Sequence, residues 1–331
     1  MQIPPLAKRL VIKTLRRAGL VSTKKLCPWR IDRQLSPHCV SQVILHQFPE
    51  LRSANVVQCG EGWEHEVYEV DDKWIFRFPK RQDVQRRLMV ELSLLPILKS
   101  RLPVPIPEYR FTGTPSEIFP YAFAGYEKLA GERASNAVLD EPARARLARD
   151  LGILLSALHS FPCDLALQAG VSAEGWHPSV AAYCETAQRM LRTARNALSK
   201  PLVLQCQRML NPRMMPGGYR DRVVLVHQDL SPRHILLKPE DGSIAGVIDW
   251  TSLAVTDPAA DFLWLWMWLG EDFVRAVLTH YQCSIDDGFL NRVRFIATCI
   301  SIMEVAFGLE TRDDCKLSLA TVALKRAFGV G

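Results

Sequence analysis

The sequence predicts an α+β chain of two lobes, a small antiparallel sheet of five strands followed by a larger, mainly helical lobe. Three observations predict it. Between residues 56 and 78, short apolar runs are separated by Gly60-Glu61-Gly62 and by Asp71-Asp72, which reads as a three-stranded meander. After Gly131 the apolar spacing becomes helical, with Leu147, Leu151, Leu154, Leu155 and Leu158 on one face. Residues 223–264 then interrupt the helical texture with two short apolar strands, and carboxylates stand where each strand breaks into a loop. The expected divisions are a basic extension over 1–35, a small lobe over 36–130 and a helical lobe over 131–331.

The chain has 331 residues, of which 48% are hydrophobic, enough for a sizeable core. The richest apolar run, 262–269, is too short to span a membrane. The first apolar cluster is interrupted by Lys8, Arg9, Lys13, Arg16 and Arg17, so no signal peptide is expected. Nine cysteines, with no C-x-x-C pair, indicate neither a disulfide framework nor a zinc site, and a cytoplasmic setting fits. The net charge of +6 is uneven: residues 1–33 carry nine Lys/Arg against one acid, whereas 222–331 carry ten against fourteen. The basic character therefore belongs to the extension, and a nucleic-acid partner is not expected for the rest.

In chain order, residues 6–18 read as a short amphipathic helix ended by Gly19. It suits a membrane surface, a nucleic-acid arm, an organellar transit peptide or, most plainly, a solvated helix lying on the small lobe. Ser36 and Pro37 form an N-cap and first-turn pair, with Val40, Val43, Ile44 and Phe48 at helical spacing behind them. Strands follow over 56–59, 66–70 and 73–78. The third is apolar except for Arg77, and a cation there needs a partner because burying it unpaired is costly. Glu91, on the helix predicted for 84–98, is the candidate, and Lys80 is a rival cation just past the strand. Residues 109–112 and 122–129 read as the fourth and fifth strands. The helix over 141–160 carries His159 near its end, read as a packed structural histidine. One or two helices follow within 178–215, and later ones around 262–269, 271–281, 287–307 and 317–328. Trp264, Trp266 and Trp268 read as apolar core rather than as a substrate platform.

The chemistry concentrates in residues 223–264. The strand at 223–226 breaks into His227-Gln228-Asp229, and His234 stands five residues beyond Asp229. The strand at 245–248 delivers Asp249-Trp250-Thr251, and Asp257-Pro258 and Asp261 follow. Singly these features are ordinary: Asp257-Pro258 starts a helix and Asp241-Gly242 makes a hairpin turn. Together they match phosphoryl transfer. One Asp takes or orients a hydroxyl proton, the residue five further on holds metal, and an Asp on the next strand end holds metal against phosphates. The frame H-x-D-x-x-x-x-H, then I-D-W, then D-P-x-x-D, resembles the aminoglycoside phosphotransferase family, kinase-like enzymes that phosphorylate antibiotics and small metabolites. His at position 234 is similar to the aminoglycoside 2″- and macrolide 2′-phosphotransferase branches, and Asp249-Trp250-Thr251 leans toward the macrolide branch. The resemblance spans roughly residues 57–269.

It implies a protein-kinase-like bilobal fold and a set of roles. Asp229 would be the catalytic residue, orienting the acceptor hydroxyl and taking its proton. Asp249 would hold Mg²⁺, with His234 as a second ligand or as a group just behind the ligands. Arg77, paired with Glu91, would neutralise phosphate charge. Gly60 and Gly62 would cover the phosphates, although the glycine motif is incomplete because position 65 is His. The backbone at Glu127 and Leu129 would receive a purine edge. Asp261 would brace the catalytic loop, and His227 would be structural. The implied partners are a nucleoside triphosphate, ATP or GTP, and a small-molecule hydroxyl acceptor, an aminoglycoside or a macrolide, which would make this a resistance enzyme. Glu271, Asp272, Asp286, Asp287, Glu304, Glu310, Asp313 and Asp314 could receive a polycationic acceptor or be solvated helix faces. Two alternatives stay open: a metabolic kinase acting on a sugar or amino alcohol, and a nucleotide-binding pseudokinase serving as a scaffold.

Overall fold

The structure is a computed structural model and describes residues 36–51, 54–61, 64–175, 179–217 and 223–330. The basic extension and Gly62 lie outside the described residues. Helix α1 (Pro37–Gln47) starts where expected: Ser36 Oγ accepts the Cys39 N–H at 3.2 Å, and Pro37 occupies the first turn. Its Val40, Val43 and Ile44 are buried.

Five strands follow: β1 (Val56–Glu61), β2 (His65–Val70), β3 (Trp74–Pro79), β4 (Tyr109–Gly113) and β5 (Phe123–Glu127). They form one antiparallel sheet in the order β1-β2-β3-β5-β4. The β2–β3 turn rests on Asp71 and Asp72, both at positive φ (54° and 52°), the left-handed pair that a tight hairpin prefers. Gly60 departs from the reading above. It belongs to β1, opposite Val67, with a register shift between Gln58 and Gly60, so the strand runs on past the expected turn.

The sheet has two different faces, as strand alternation requires. Tyr68, Val70, Phe76, Phe78, Phe111 and Phe123 join Val40 and Ile44 in an aromatic core. Phe78 and Phe123 stack there at 4.4 Å between ring centres. The opposite face, with His65, Val67, Ile75 and Arg77, lines a cleft. Helix α2 (Gln82–Lys99) lies beside the sheet and buries Glu91.

The chain leaves the sheet at Gly131, whose φ of +108° and tight approach to the Leu237 carbonyl exclude a side chain. Beyond it, helices α3 (Glu141–His159), α4 (Cys163–Gln168), α5 (Val180–Ala194), α6 (Lys200–Met209), α7 (Ala259–Leu269), α8 (Glu271–Leu278), α9 (Phe289–Thr311) and α10 (Asp314–Phe328) surround one large apolar core. Two small sheets interrupt them. β7 (Val224–Val226) pairs with β10 (Ala254–Thr256), and β6 (Glu132–Arg133), β8 (Ile235–Leu237) and β9 (Ile244–Val247) form the other. β6, β8 and β10 were not expected from the sequence; each is only two or three residues long, below what apolar periodicity resolves. Among the described residues, no helix is long and apolar enough to cross a membrane.

Candidate active site

The cleft between sheet and helices has a volume of about 1060 Å³ and receives β2, β3, the chain after β5, and the loops that follow β7 and β9. Arg77 stands at its centre and is buried. Its Nη1 donates to Glu91 Oε2 at 2.7 Å and to the Tyr109 hydroxyl at 3.0 Å. Its Nη2 donates to Asp249 Oδ1 and to Thr251 Oγ1, both at 2.6 Å. The Thr251 hydroxyl donates in turn to Glu91 Oε1 at 2.7 Å. Burial works against the charge of both partners. It pushes the Glu91 carboxyl up, while the surrounding carboxylates hold the Arg77 guanidinium charged. The predicted pair thus forms, and Lys80, also buried, is not the cation that joins it.

His65 occupies the place of the missing third glycine. Its Nδ1 lies 3.2 Å from Arg77 Nη2. A guanidinium has no acceptor, so this ring nitrogen is bare and the imidazole is neutral, as burial also favours. Thr251, Tyr109 and His65 were not singled out from the sequence. Their contacts join distant stretches, and only the polar Thr after Asp249-Trp250 could have hinted at one of them.

The two loops that deliver carboxylates are built alike. Gln228, just before Asp229, has φ +67°, and Asp249 itself has φ +63°. Neither residue is glycine, so both loops hold backbone strain of about 1–3 kcal/mol each where the carboxylates emerge. Asp261, on the first turn of α7, supplies the support. It is fully buried and accepts the His227 N–H at 3.0 Å, the Gln228 N–H at 2.6 Å and His159 Nε2–H at 2.9 Å. His159 is oriented from its other side by the Tyr281 hydroxyl, at 2.7 Å. His227 packs on Trp250, and its Nε2–H donates to the Ile248 carbonyl at 3.2 Å; burial lowers it to about 4, so it stays neutral.

His234, Asp229 and Asp249 converge. His234 Nδ1–H donates to the Asp229 carbonyl at 2.8 Å, and its Nε2 lies 3.6 Å from Asp249 Oδ2. One ligand atom from each of the three residues lies within 4.8 Å of the others, an arrangement able to hold a metal ion. Burial pushes the Asp229 carboxyl up to about 7, against the pull of His234, and the Asp249 carboxylate opposes its ionisation. Asp249 has the opposite fate. Burial would raise it, but Arg77 and then His234 hold it well below the usual carboxylate range.

Gly60 and Leu129 line the cleft, and Glu127 closes β5 beside it. A Cβ at Gly60 would meet only the Val67 Cβ, at 3.7 Å, so packing does not demand glycine there. Trp266 is core, half-buried Trp264 and Trp268 pack against it, and Trp264 also lines the cleft.

A family model, the phosphotransferase enzyme family, matches residues 55–290. The chain belongs to that family. It is a phosphotransferase with a hydroxyl group as acceptor, on the kinase-like fold. The structure of a 2″-phosphotransferase of type IIIa in complex with GDP and kanamycin is 28% identical. That match covers 89% of this chain and 99% of the other, with a TM-score of 0.68. Macrolide 2′-phosphotransferase type I is 20% identical over 89% of this chain and 98% of its own, with a TM-score of 0.61, a likeness of fold. The uncharacterized protein YcbJ of Bacillus subtilis (strain 168) is 27% identical over 232 residues, 65% of this chain and 71% of that protein.

Proposed function

We propose that this phosphotransferase moves the γ-phosphoryl group of ATP or GTP to a hydroxyl of a small molecule, with an antibiotic as the first acceptor class to test and a sugar or amino alcohol as the metabolic alternative. The observation that carries the reading is the convergence of Asp229, His234 and Asp249 in front of Arg77.

In this reading, Asp229 orients the acceptor hydroxyl and takes its proton as the hydroxyl oxygen bonds to the γ-phosphorus. The bond from that phosphorus to the bridging oxygen breaks, and the nucleoside diphosphate leaves. Arg77, fixed by Glu91 and Tyr109, neutralises phosphate charge. β1, with Gly60 within it, and β2 cover the phosphates, and the chain at Glu127 and Leu129 receives the base. The donor set fits a divalent cation: the Asp249 carboxylate supplies oxygens suited to Mg²⁺, and His234 Nε2 lies 3.6 Å from Asp249 Oδ2. Asp249 and His234 would hold it, and the ion would supply charge neutralisation at the transferring phosphates.

The test is a mass-spectrometric assay of purified protein with Mg²⁺, ATP and GTP against pooled aminoglycosides, macrolides and small alcohols. An acceptor should gain one phosphoryl group, with turnover reduced about 10²- to 10⁴-fold in Asp229→Ala. Full turnover in that variant would remove Asp229 from the chemistry.

A further inference from the structure

The wall of the cleft beyond Asp229 is one face of α9. Ile300, Met303, Glu304, Phe307 and Thr311 recur at helical spacing, and all line the cleft. Helices α5 and α7, which pack on α9, add Met190 and Trp264. Asp229 lines the same cleft as this wall.

The one carboxylate of the α9 stripe is already paired. Of the acids that could have received a polycation, Glu271 is engaged by Arg275 at 2.7 Å and Asp286 by Arg292 at 2.7 Å. Glu304 and Asp313 do line the cleft. Glu304, however, is paired with Lys316 Nζ at 3.2 Å, and Asp313 caps α10 by accepting the Lys316 N–H at 2.9 Å. The Lys316 ammonium also lies 4.4 Å from the centre of the Phe307 ring. A cation in this position cancels the one carboxylate of the α9 stripe and occupies an aromatic face that an incoming amine would use. The remaining surface is thioether, aliphatic and aromatic.

We propose that the acceptor is an alcohol with an apolar body and no more than one positive charge. It lies on Ile300, Met303 and Phe307, and Lys316 is the residue that turns polycations away. This rests on the phosphotransferase reading of the cleft and narrows its acceptor.

The test measures, by calorimetry, binding of erythromycin, apolar with a single amine, and of kanamycin, with several, to the nucleotide-loaded protein. Wild type should bind erythromycin at least about tenfold more tightly than kanamycin. Lys316→Gln should tighten kanamycin about tenfold, because the freed Glu304 can then meet an ammonium, while nucleotide affinity stays the same. Phe307→Ala should weaken erythromycin alone. Thermal melts of both variants confirm that each is folded. Equal or tighter kanamycin binding by wild type, no binding of erythromycin, or an unchanged preference in Lys316→Gln would overturn the proposal. If the binding preference holds and yet no acceptor is phosphorylated, the transfer chemistry assigned to Asp229 fails and the acceptor assignment stands.

Discussion

Arg77 illustrates how one side chain can tie distant parts of a chain together. It links β3 to α2 through Glu91 and to the loop after β9 through Asp249 and Thr251. Removing one partner of a buried ion pair leaves the other charge uncompensated, at a cost of about 3–5 kcal/mol. Glu91→Gln should therefore lower unfolding free energy by about 3 kcal/mol in urea titrations and reduce turnover as well. A variant with unchanged stability and rate would show that the pair does no work. His227 makes a pH prediction. Its depression from 6.5 to about 4 means that the unfolded chain takes up the proton first as pH falls. The His227 contribution to stability should be fully present above about pH 6.5, fall by about 3 kcal/mol down to about pH 4 and level off below, while the raised Asp229 carboxyl contributes with the opposite sign. The stability difference between wild type and His227→Gln, from denaturation curves recorded across the window, should therefore change with pH by about that amount. A slope equal to that of wild type would place the titration elsewhere.

At the scale of elements, the catalytic loop depends on α7. Asp261 satisfies three buried donors, and each orphaned donor costs about 1–3 kcal/mol. Asp261→Ala should destabilise by about 3 kcal/mol or more, measured by urea unfolding, and a loss under about 1 kcal/mol would show that water or another group replaces the carboxylate. This part of the site was legible because its members lie within 223–261 at fixed spacing. The Arg77–Glu91 pair was legible for another reason, a lone cation in an apolar strand calling for a partner. The α9 wall was not legible. A stripe of Ile, Met and Phe on a helix looks the same whether it faces core or cleft, and what opens it here is which helices pack beside it. The place of Trp264 on the cleft was missed on the same ground, although it also packs on the core, and Gly60 was misread because a strand with a register shift reads in sequence as the start of a turn.

At the scale of the whole molecule, the cleft joins the sheet to the helices through the Arg77–Asp249 pair and through the chain at Gly131. A nucleotide held from both sides stabilises the native state by mass action, about 2.7 kcal/mol at a hundred times its dissociation constant. Melting temperature should rise with ATP or GTP and rise further when Mg²⁺ is added. The Mg²⁺ increment should vanish in Asp249→Ala and survive in Gly60→Ala. An increment intact in Asp249→Ala would move the metal elsewhere.

The dependence of residues 227 and 228 on a carboxylate more than thirty positions later also bears on the order in which the molecule is made. During synthesis the strand and loop that carry Asp229 leave the ribosome before Asp261 does. Until α7 follows, the His227 and Gln228 amides lack the carboxylate that accepts them in the folded protein. A nascent chain that has already formed the small sheet would therefore still lack its reactive centre. Competence for catalysis would come as a late event of translation, set by the arrival of one helix.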